Sequence, residues 1–152
     1  DGNIYSGDAQ RSGEIGHVPL IHNGKKCYCG QSGCVDAYLA ATNLSNMTDG
    51  NLQAFFRDLE NGDPAIVRVW DTYLDYLATT VNILRMILDC NVILGGYVGE
   101  YLEPYMEELK ERAARLNTFS DDAEYLKICS YKKESIAAGA ALYFVDAFTK
   151  AL

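Results

Sequence analysis

The sequence is poor in basic residues and lacks any long apolar run. Its 152 residues include 13 lysines and arginines against 21 aspartates and glutamates, a formal net charge of -8. An acidic surface repels phosphate backbones, which argues against direct binding of DNA or RNA. No apolar stretch is long enough to span a bilayer, and no signal-peptide core stands near the start. We therefore expect neither membrane nor nucleic-acid contact from these residues.

The five cysteines are an odd number, which argues against a disulfide-paired secreted domain. Cys90 and Cys129 stand alone in apolar stretches, where free thiols are ordinarily buried. These features predict a cytoplasmic protein. The apolar content of 49% suffices for one core, so residues 1–152 are expected to form a single lobe. Because the sequence opens at Asp1 in a predicted strand, we expect a piece of a longer protein.

Periodicity and turn residues predict an α/β architecture. Asp63 followed by Pro64 indicates a helix start, with Asp as the N-cap and Pro in the first turn. Asn91 to Leu94, closed by two glycines, is typical of a buried parallel strand. The predicted strands are 3–7, 14–21, 91–94 and 125–130; the predicted helices are 35–43, 51–60, 63–90, 100–116 and 134–151, and residues 24–36 form an irregular loop.

Three cysteines within eight residues predict a metal site. Cys27, Cys29 and Cys34 lie in a loop whose glycines allow a tight turn. Three thiolates and one imidazole are a standard tetrahedral set for structural zinc. The spacing leaves two candidates for the fourth ligand, His17 and His22, and three metal-free thiols remain the alternative.

The residues around this loop resemble the signature of the ROK family, named for repressors, open reading frames and sugar kinases. The matching segments are Gly13-Glu14-Ile15-Gly16-His17, Cys27-Tyr28-Cys29-Gly30-Gln31-Ser32-Gly33-Cys34-Val35-Asp36, Val92-Ile93-Leu94-Gly95-Gly96 and Ala137-Ala138-Gly139-Ala140-Ala141. The resemblance covers the C-terminal half of a ROK protein. It implies the second lobe of the actin-like, RNase H-like sugar-kinase fold, with a zinc-binding loop.

The resemblance also implies roles for individual residues. Glu14 would accept hydrogen bonds from sugar hydroxyls, and His17 rather than His22 would bind zinc through one ring nitrogen and a sugar hydroxyl through the other. Asp36 stands where the family has a second sugar-binding Glu, one methylene longer. Without the family, Glu14 is an ordinary exposed carboxylate, and Asp36 is a charge at a helix N-terminus.

For nucleotide binding, the resemblance points to Gly95, Gly96 and Gly139, where a bulky Tyr97 would crowd the cleft. The family's general base and phosphate-binding loop precede Glu14 and have no counterpart in the thirteen residues before it. We therefore assign no catalytic residue and expect these 152 residues alone to be inactive, because phosphoryl transfer needs a positioned base.

Asp36 in place of the family's Glu, and the bulky Tyr97 beside Gly96, favour the effector-binding and dimerisation lobe of a sugar-responsive ROK transcriptional regulator. The alternative is the C-terminal lobe of an ATP-dependent ROK sugar kinase, and a zinc-stapled oligomerisation module without ligand is a third possibility. The expected partners are a sugar or sugar phosphate and a second copy of the chain, with DNA reached only through an upstream domain. The expected cofactor is structural Zn²⁺, with ATP and Mg²⁺ only for a kinase.

Overall fold

The structure is a computed structural model that describes residues 4–131 and 134–150. The chain divides into two compact units, Asp1–Phe55 and Phe56–Leu152. Helices dominate the second unit, where the described strands form one small sheet. Among the described residues, no helix combines the length and the apolar character that crossing a bilayer requires.

The first unit is built from turns rather than from the two predicted strands. Asn3 lies outside the described residues, and residues 4–7 form no strand. The second predicted strand, 14–21, is wrong: Ile15–His17 is a 3-10 turn, in which the His17 N–H donates to the Glu14 carbonyl at 3.1 Å. Among the described residues, the backbone of this segment forms one isolated antiparallel bridge, between Pro19 and Cys34.

Two short helices replace the single helix predicted over residues 35–43. They are α1 (Asp36–Leu39) and α2 (Ala41–Ser45), and a 3-10 turn follows over Asn46–Thr48. Ala40 separates them because its ψ of 138° is extended. The Asn43 side-chain amide donates to the Asp36 carbonyl across the break at 3.2 Å, which ties the start of α1 to α2.

The predicted helices of the central region are confirmed as α3 (Leu52–Glu60) and α4 (Pro64–Leu88). The Asp63 carboxylate accepts hydrogen bonds from the N–H groups of Ala65 and Ile66, at 2.8 and 3.2 Å. Its predicted N-cap role therefore holds. The inward face of α4 is buried except at its end, where Leu88 is 58% exposed; the buried members include Ile66, Trp70, Tyr73, Leu77 and Val81.

The second unit pairs two parallel strands, β1 (Val92–Leu94) and β2 (Leu126–Ile128), with Val92 opposite Leu126. Both strands were predicted, although Ile93 is exposed and only Val92 of β1 is buried. A short helix that sequence reasoning missed, α5 (Gly96–Gly99), follows β1. The helix predicted from residue 100 begins later, because Glu103–Tyr105 forms a 3-10 turn before α6 (Met106–Leu116).

Helices α4 and α6 pack together around fully buried leucines, including Leu74 and Leu109. Arg112 of α6 joins them by donating to carboxylates of Asp71 and Asp75 on α4 and of Glu108 on its own helix. Burial works against the charge of Arg112, but these hydrogen bonds prevail and raise its pKa. Helix α4 also contacts β1, so the helix pair lies beside the sheet.

The last helix, predicted over residues 134–151, is α7 (Ser135–Lys150), and its apolar residues are not buried within the described chain. None of its residues is buried, and Ile136, Phe144 and Phe148 are 66–71% exposed. The apolar period identified a helix but could not tell what covers it. The predicted end at residue 151 lies outside the described residues. Cys90 was also expected to be buried, yet it is exposed, and Cys129 is half-buried.

Candidate functional site

The cysteine loop is a tight hairpin held by its own backbone. The Cys27 N–H donates to the Gln31 carbonyl at 2.9 Å, and the Gly33 N–H donates to the Lys25 carbonyl at 2.8 Å. Gly33 has a φ of +84°, and a Cβ there would stand 1.8 Å from the Ile21 carbonyl oxygen. Only glycine fits this position, so the sequence dictates how the loop turns Cys34 back toward the other cysteines.

The structure brings the four predicted metal ligands together. One ligand atom from each of His17, Cys27, Cys29 and Cys34 lies within 4.8 Å of the other three. The sulfurs of Cys29 and Cys34 are 3.8 Å apart, and Cys27 Sγ is 4.0 Å from His17 Nδ1. Thiolates that bind zinc tetrahedrally at about 2.3 Å stand about 3.8 Å from one another. The donor set therefore fits zinc, and within the described chain His22 is not part of this cluster.

The thiols of this cluster differ in acidity. A backbone hydrogen bond at Gln31 and a side-chain hydrogen bond from Cys27 lower the pKa of Cys29. Burial raises the pKa of Cys34 to about 11, with hydrogen bonding to Cys29 as a second cause. A metal ion binds thiolates, so its binding at this cluster must release protons.

The three residues expected to bind a sugar, Glu14, His17 and Asp36, also lie close together, and His17 is one of the predicted metal ligands as well. Glu14 precedes the 3-10 turn, and its Oε2 is 3.9 Å from His17 Nε2. Asp36 is the first residue of α1, immediately after the cysteine loop. The Asp36 carboxylate lies against Gly16, where a Cβ would stand 2.6 Å from Oδ1. The result is a cluster of two carboxylates and one imidazole.

Sequence reasoning missed one residue of this cluster, Tyr28. Its hydroxyl lies 3.3 Å from His17 Nε2 and 3.1 Å from Asp36 Oδ2. The hydrogen bond to Asp36 raises the pKa of Tyr28. The sequence carries only a partial signal, because the position between two predicted metal ligands places Tyr28 near the cluster but does not fix the direction of its side chain.

The candidate nucleotide residues lie in the second unit. Gly95 and Gly96 follow β1, and the Gly96 N–H donates to the Ser135 hydroxyl at the start of α7, at 3.3 Å. Gly139 is one turn further along α7, and among the described residues no atom lies within 4 Å of where its Cβ would stand. The carboxyl ends of the parallel strands and the first turn of α7 therefore adjoin, a position where α/β proteins commonly bind ligands. Sequence reasoning did not identify Ser135.

Comparison with known proteins gives consistent matches across the chain. A model of the ROK family matches residues 1–147. The N-acetylgalactosamine kinase of Shewanella sp. (strain ANA-3) is 27% identical to this chain. The match covers 93% of this chain and 51% of the length of that kinase. The N-acetyl-D-glucosamine kinase of Pasteurella multocida is 25% identical over 96% of this chain and 54% of its own. The chain thus spans about half the length of the curated relatives it matches.

Solved structures agree with these matches. The ROK hexokinase of Thermus thermophilus superposes with a TM-score of 0.80 at 28% identity, over 96% of this chain and 52% of that one. A ROK family glucokinase of Streptomyces griseus, solved with glucose and AMPPNP, gives a TM-score of 0.63 at 19% identity, over 80% of this chain and 47% of its own, and supports the fold alone. The mixed α/β fold is that of these sugar kinases, as the resemblance implied. The named relatives are kinases, which favours the kinase alternative and gives no support to the regulator.

Proposed function

The chain belongs to the ROK family, and on that premise we propose that it is the sugar-recognition half of an ATP-dependent sugar kinase. The observation that carries the proposal is the run of relatives named as kinases that match nearly the whole chain. The two curated relatives described above are named for N-acetylated amino sugars, so we propose an N-acetylhexosamine or a related hexose as the substrate.

Glu14, His17 and Asp36 are the proposed sugar-binding residues. Their side chains offer carboxylate acceptors and one imidazole nitrogen within a small volume, and such groups suit adjacent hydroxyls. Holding the sugar fixes the hydroxyl that receives the phosphoryl group, and orientation of this kind supplies much of the rate enhancement in phosphoryl transfer. We assign no catalytic base among the residues of this chain.

Zinc is the proposed cofactor of the loop, held by His17, Cys27, Cys29 and Cys34. Four protein donors leave no open position, so the ion would act structurally. With Nδ1 of His17 directed to the metal, the ring is fixed and Nε2 faces the sugar residues. The loop that ends at Asp36 is held by the same four residues.

The nucleotide is proposed to bind at Gly95, Gly96 and Gly139. Backbone N–H groups and the first turn of a helix suit phosphate oxygens, and glycine allows close approach. Mg²⁺ would accompany the nucleotide, as phosphoryl transfer requires a cation on the phosphates.

The experiment is a coupled assay of ADP release by the protein at its natural full length. N-acetylmannosamine, N-acetylglucosamine, N-acetylgalactosamine and glucose are supplied in turn with MgATP. At least one sugar should raise ADP release well above the sugar-free rate, and Glu14→Gln should weaken that response while Glu111→Gln leaves it intact. If no sugar stimulates release or raises the melting temperature, the kinase proposal is wrong and a ligand-free zinc module is favoured.

A further inference from the structure

Tyr28 is highly exposed and yet held in place. Its side chain is 82% exposed, so burial does not fix its position. The hydroxyl instead contacts His17 Nε2 and Asp36 Oδ2, at 3.3 and 3.1 Å. The ring also meets the His17 imidazole edge to face, with centroids 5.3 Å apart. Polar contacts with two proposed sugar-binding residues therefore determine where this tyrosine lies.

The chemistry of the three side chains gives these hydrogen bonds a direction. The Asp36 carboxylate can only accept, so the Tyr28 hydroxyl donates to it. His17 Nδ1 faces Cys27 Sγ at 4.0 Å, on the side of the metal ligands. A nitrogen used as a ligand carries no hydrogen, which leaves Nε2 as the N–H that donates to the Tyr28 oxygen. The phenol oxygen then keeps one lone pair free for a further hydrogen bond.

The groups that remain open around Tyr28 are acceptors. They are that lone pair, the carboxylate of Asp36 and the carboxylate of Glu14, which is 68% exposed. The side-chain N–H of His17 donates to Tyr28, so in this arrangement His17 contributes to sugar binding through the Tyr28 hydroxyl that it holds. Acceptors of this kind bind O–H donors and gain little from an ether oxygen or a fluorine.

We propose that Tyr28 is a further sugar-recognition residue, whose hydroxyl joins His17 to Asp36 and accepts a hydrogen bond from a hydroxyl of the bound sugar. The proposal rests on the sugar-kinase function proposed above and deepens it. It makes this side of the site selective for sugar hydroxyls that act as donors. The opposite arrangement is a plug, in which Tyr28 fills the place of a sugar hydroxyl and must leave before the sugar binds.

The variant Tyr28→Phe, which removes only the hydroxyl group, distinguishes the two arrangements. Loss of a recognition hydroxyl weakens sugar binding, whereas loss of a plug strengthens it. Tyr5→Phe is the matched control, because Tyr5 is 81% exposed and makes no side-chain contact with His17 or Asp36 within the described chain. Steady-state kinetics are measured on the protein at its natural full length, with MgATP and the four sugars named above.

Tyr28→Phe is expected to raise the KM for the preferred sugar about ten-fold, as loss of hydrogen bonds to a ligand does. The kcat should stay within about two-fold, since the contact is made in the ground state and the transition state alike. Zinc content and melting temperature should match those of Tyr5→Phe. Deoxyfluoro analogues of that sugar add a second readout, because discrimination against fluorine at one ring position should shrink in Tyr28→Phe.

The outcomes separate this proposal from the one it rests on. If the unsubstituted protein phosphorylates a sugar and Tyr28→Phe leaves KM unchanged, or lowers it, Tyr28 has no recognition role and only this inference fails. If the unsubstituted protein neither binds nor phosphorylates any of the four sugars, the proposed function fails and this inference fails with it.

Discussion

Gly16 lies against the Asp36 carboxylate, and any side chain at position 16 would collide with that carboxylate in its present position. A Cβ at position 16 would lie 2.6 Å from Asp36 Oδ1 and 2.7 Å from Oδ2. The glycine of the motif that contains Glu14 and His17 thereby sets how near the carboxylate comes to the imidazole. The position of the Asp36 carboxylate therefore depends on the absence of a side chain at Gly16 as well as on helix α1.

Gly16→Ala should move that carboxylate without unfolding the unit. The Asp36 side chain can rotate away from the new methyl group, so the loss of stability is small, while the proposed sugar contact is displaced. We expect the KM for the preferred sugar to rise about ten-fold, with the melting temperature and zinc content nearly unchanged. Kinetics and thermal unfolding of the same preparation test this, and an unchanged KM would place Asp36 outside the sugar site.

Cys29→Ser and Cys34→Ser should each remove the metal and destabilise the loop. Structural zinc supplies folding free energy, so the free energy of unfolding should fall on the order of 3 kcal/mol or more. Sugar binding should weaken in parallel, because the ligand His17 is also a proposed sugar residue. Metal analysis, unfolding and sugar titration of each variant test this coupling, with Cys90→Ser as the control, since Cys90 is exposed and outside the cluster. Normal stability with full sugar binding in Cys29→Ser would contradict it.

Arg112→Gln should loosen the packing of α4 against α6. The guanidinium is only 11% exposed and donates to three carboxylates, which would repel one another without it. We expect a loss of about 2 kcal/mol in unfolding free energy, since the carboxylates themselves are half exposed. Arg112→Lys should lose nearly as much, because an ammonium cannot reproduce the planar fork. Urea denaturation measures both, and Arg115→Gln on the same helix should change little.

Glu124 should contribute stability that disappears in acid. Its carboxylate is 2.8 Å from Lys110 Nζ, and this hydrogen bond lowers the pKa of Glu124 in the folded state. The contribution is present above the ordinary pKa of a glutamate and is lost as the pH falls through the lowered value. Glu124→Gln should therefore have a lower urea midpoint at pH 7, by on the order of a few tenths of a molar.

That difference should be smaller at pH 3 than at pH 7. Glu111→Gln, at a residue without an ion pair in the described structure, should equal the parent at both pH values. An equal gap at both pH values would show that the pair does not titrate as described.

Local signals predicted the elements whose determinants lie close together in the sequence. The N-cap Asp63 and the following proline specify the start of α4, and the cysteine spacing specifies the metal cluster. The strand predicted over 14–21 failed because a short local segment cannot report whether a partner strand exists. The exposure of α7 could not be predicted either, since a helical period identifies an apolar face but not whether another element packs against it.

The proposed sugar-binding cluster was predicted only in part, for a related reason. Glu14, His17 and Asp36 came from a motif, whereas Tyr28 depends on how a hairpin folds back over residues distant in sequence. No period or spacing reports the direction of an exposed side chain. The contact between Tyr28 and Asp36 is therefore visible only in the structure.

The hairpin fixed by Gly33 has a consequence for the order of folding. All four metal donors lie within residues 17–34, so an ion that joins them closes only short loops, and the loss of chain entropy is modest. The donors can gather while the rest of the chain is still unfolded. Zinc would then be captured early, and the proposed sugar-binding groups would be arranged around it before the helices of the second unit assemble.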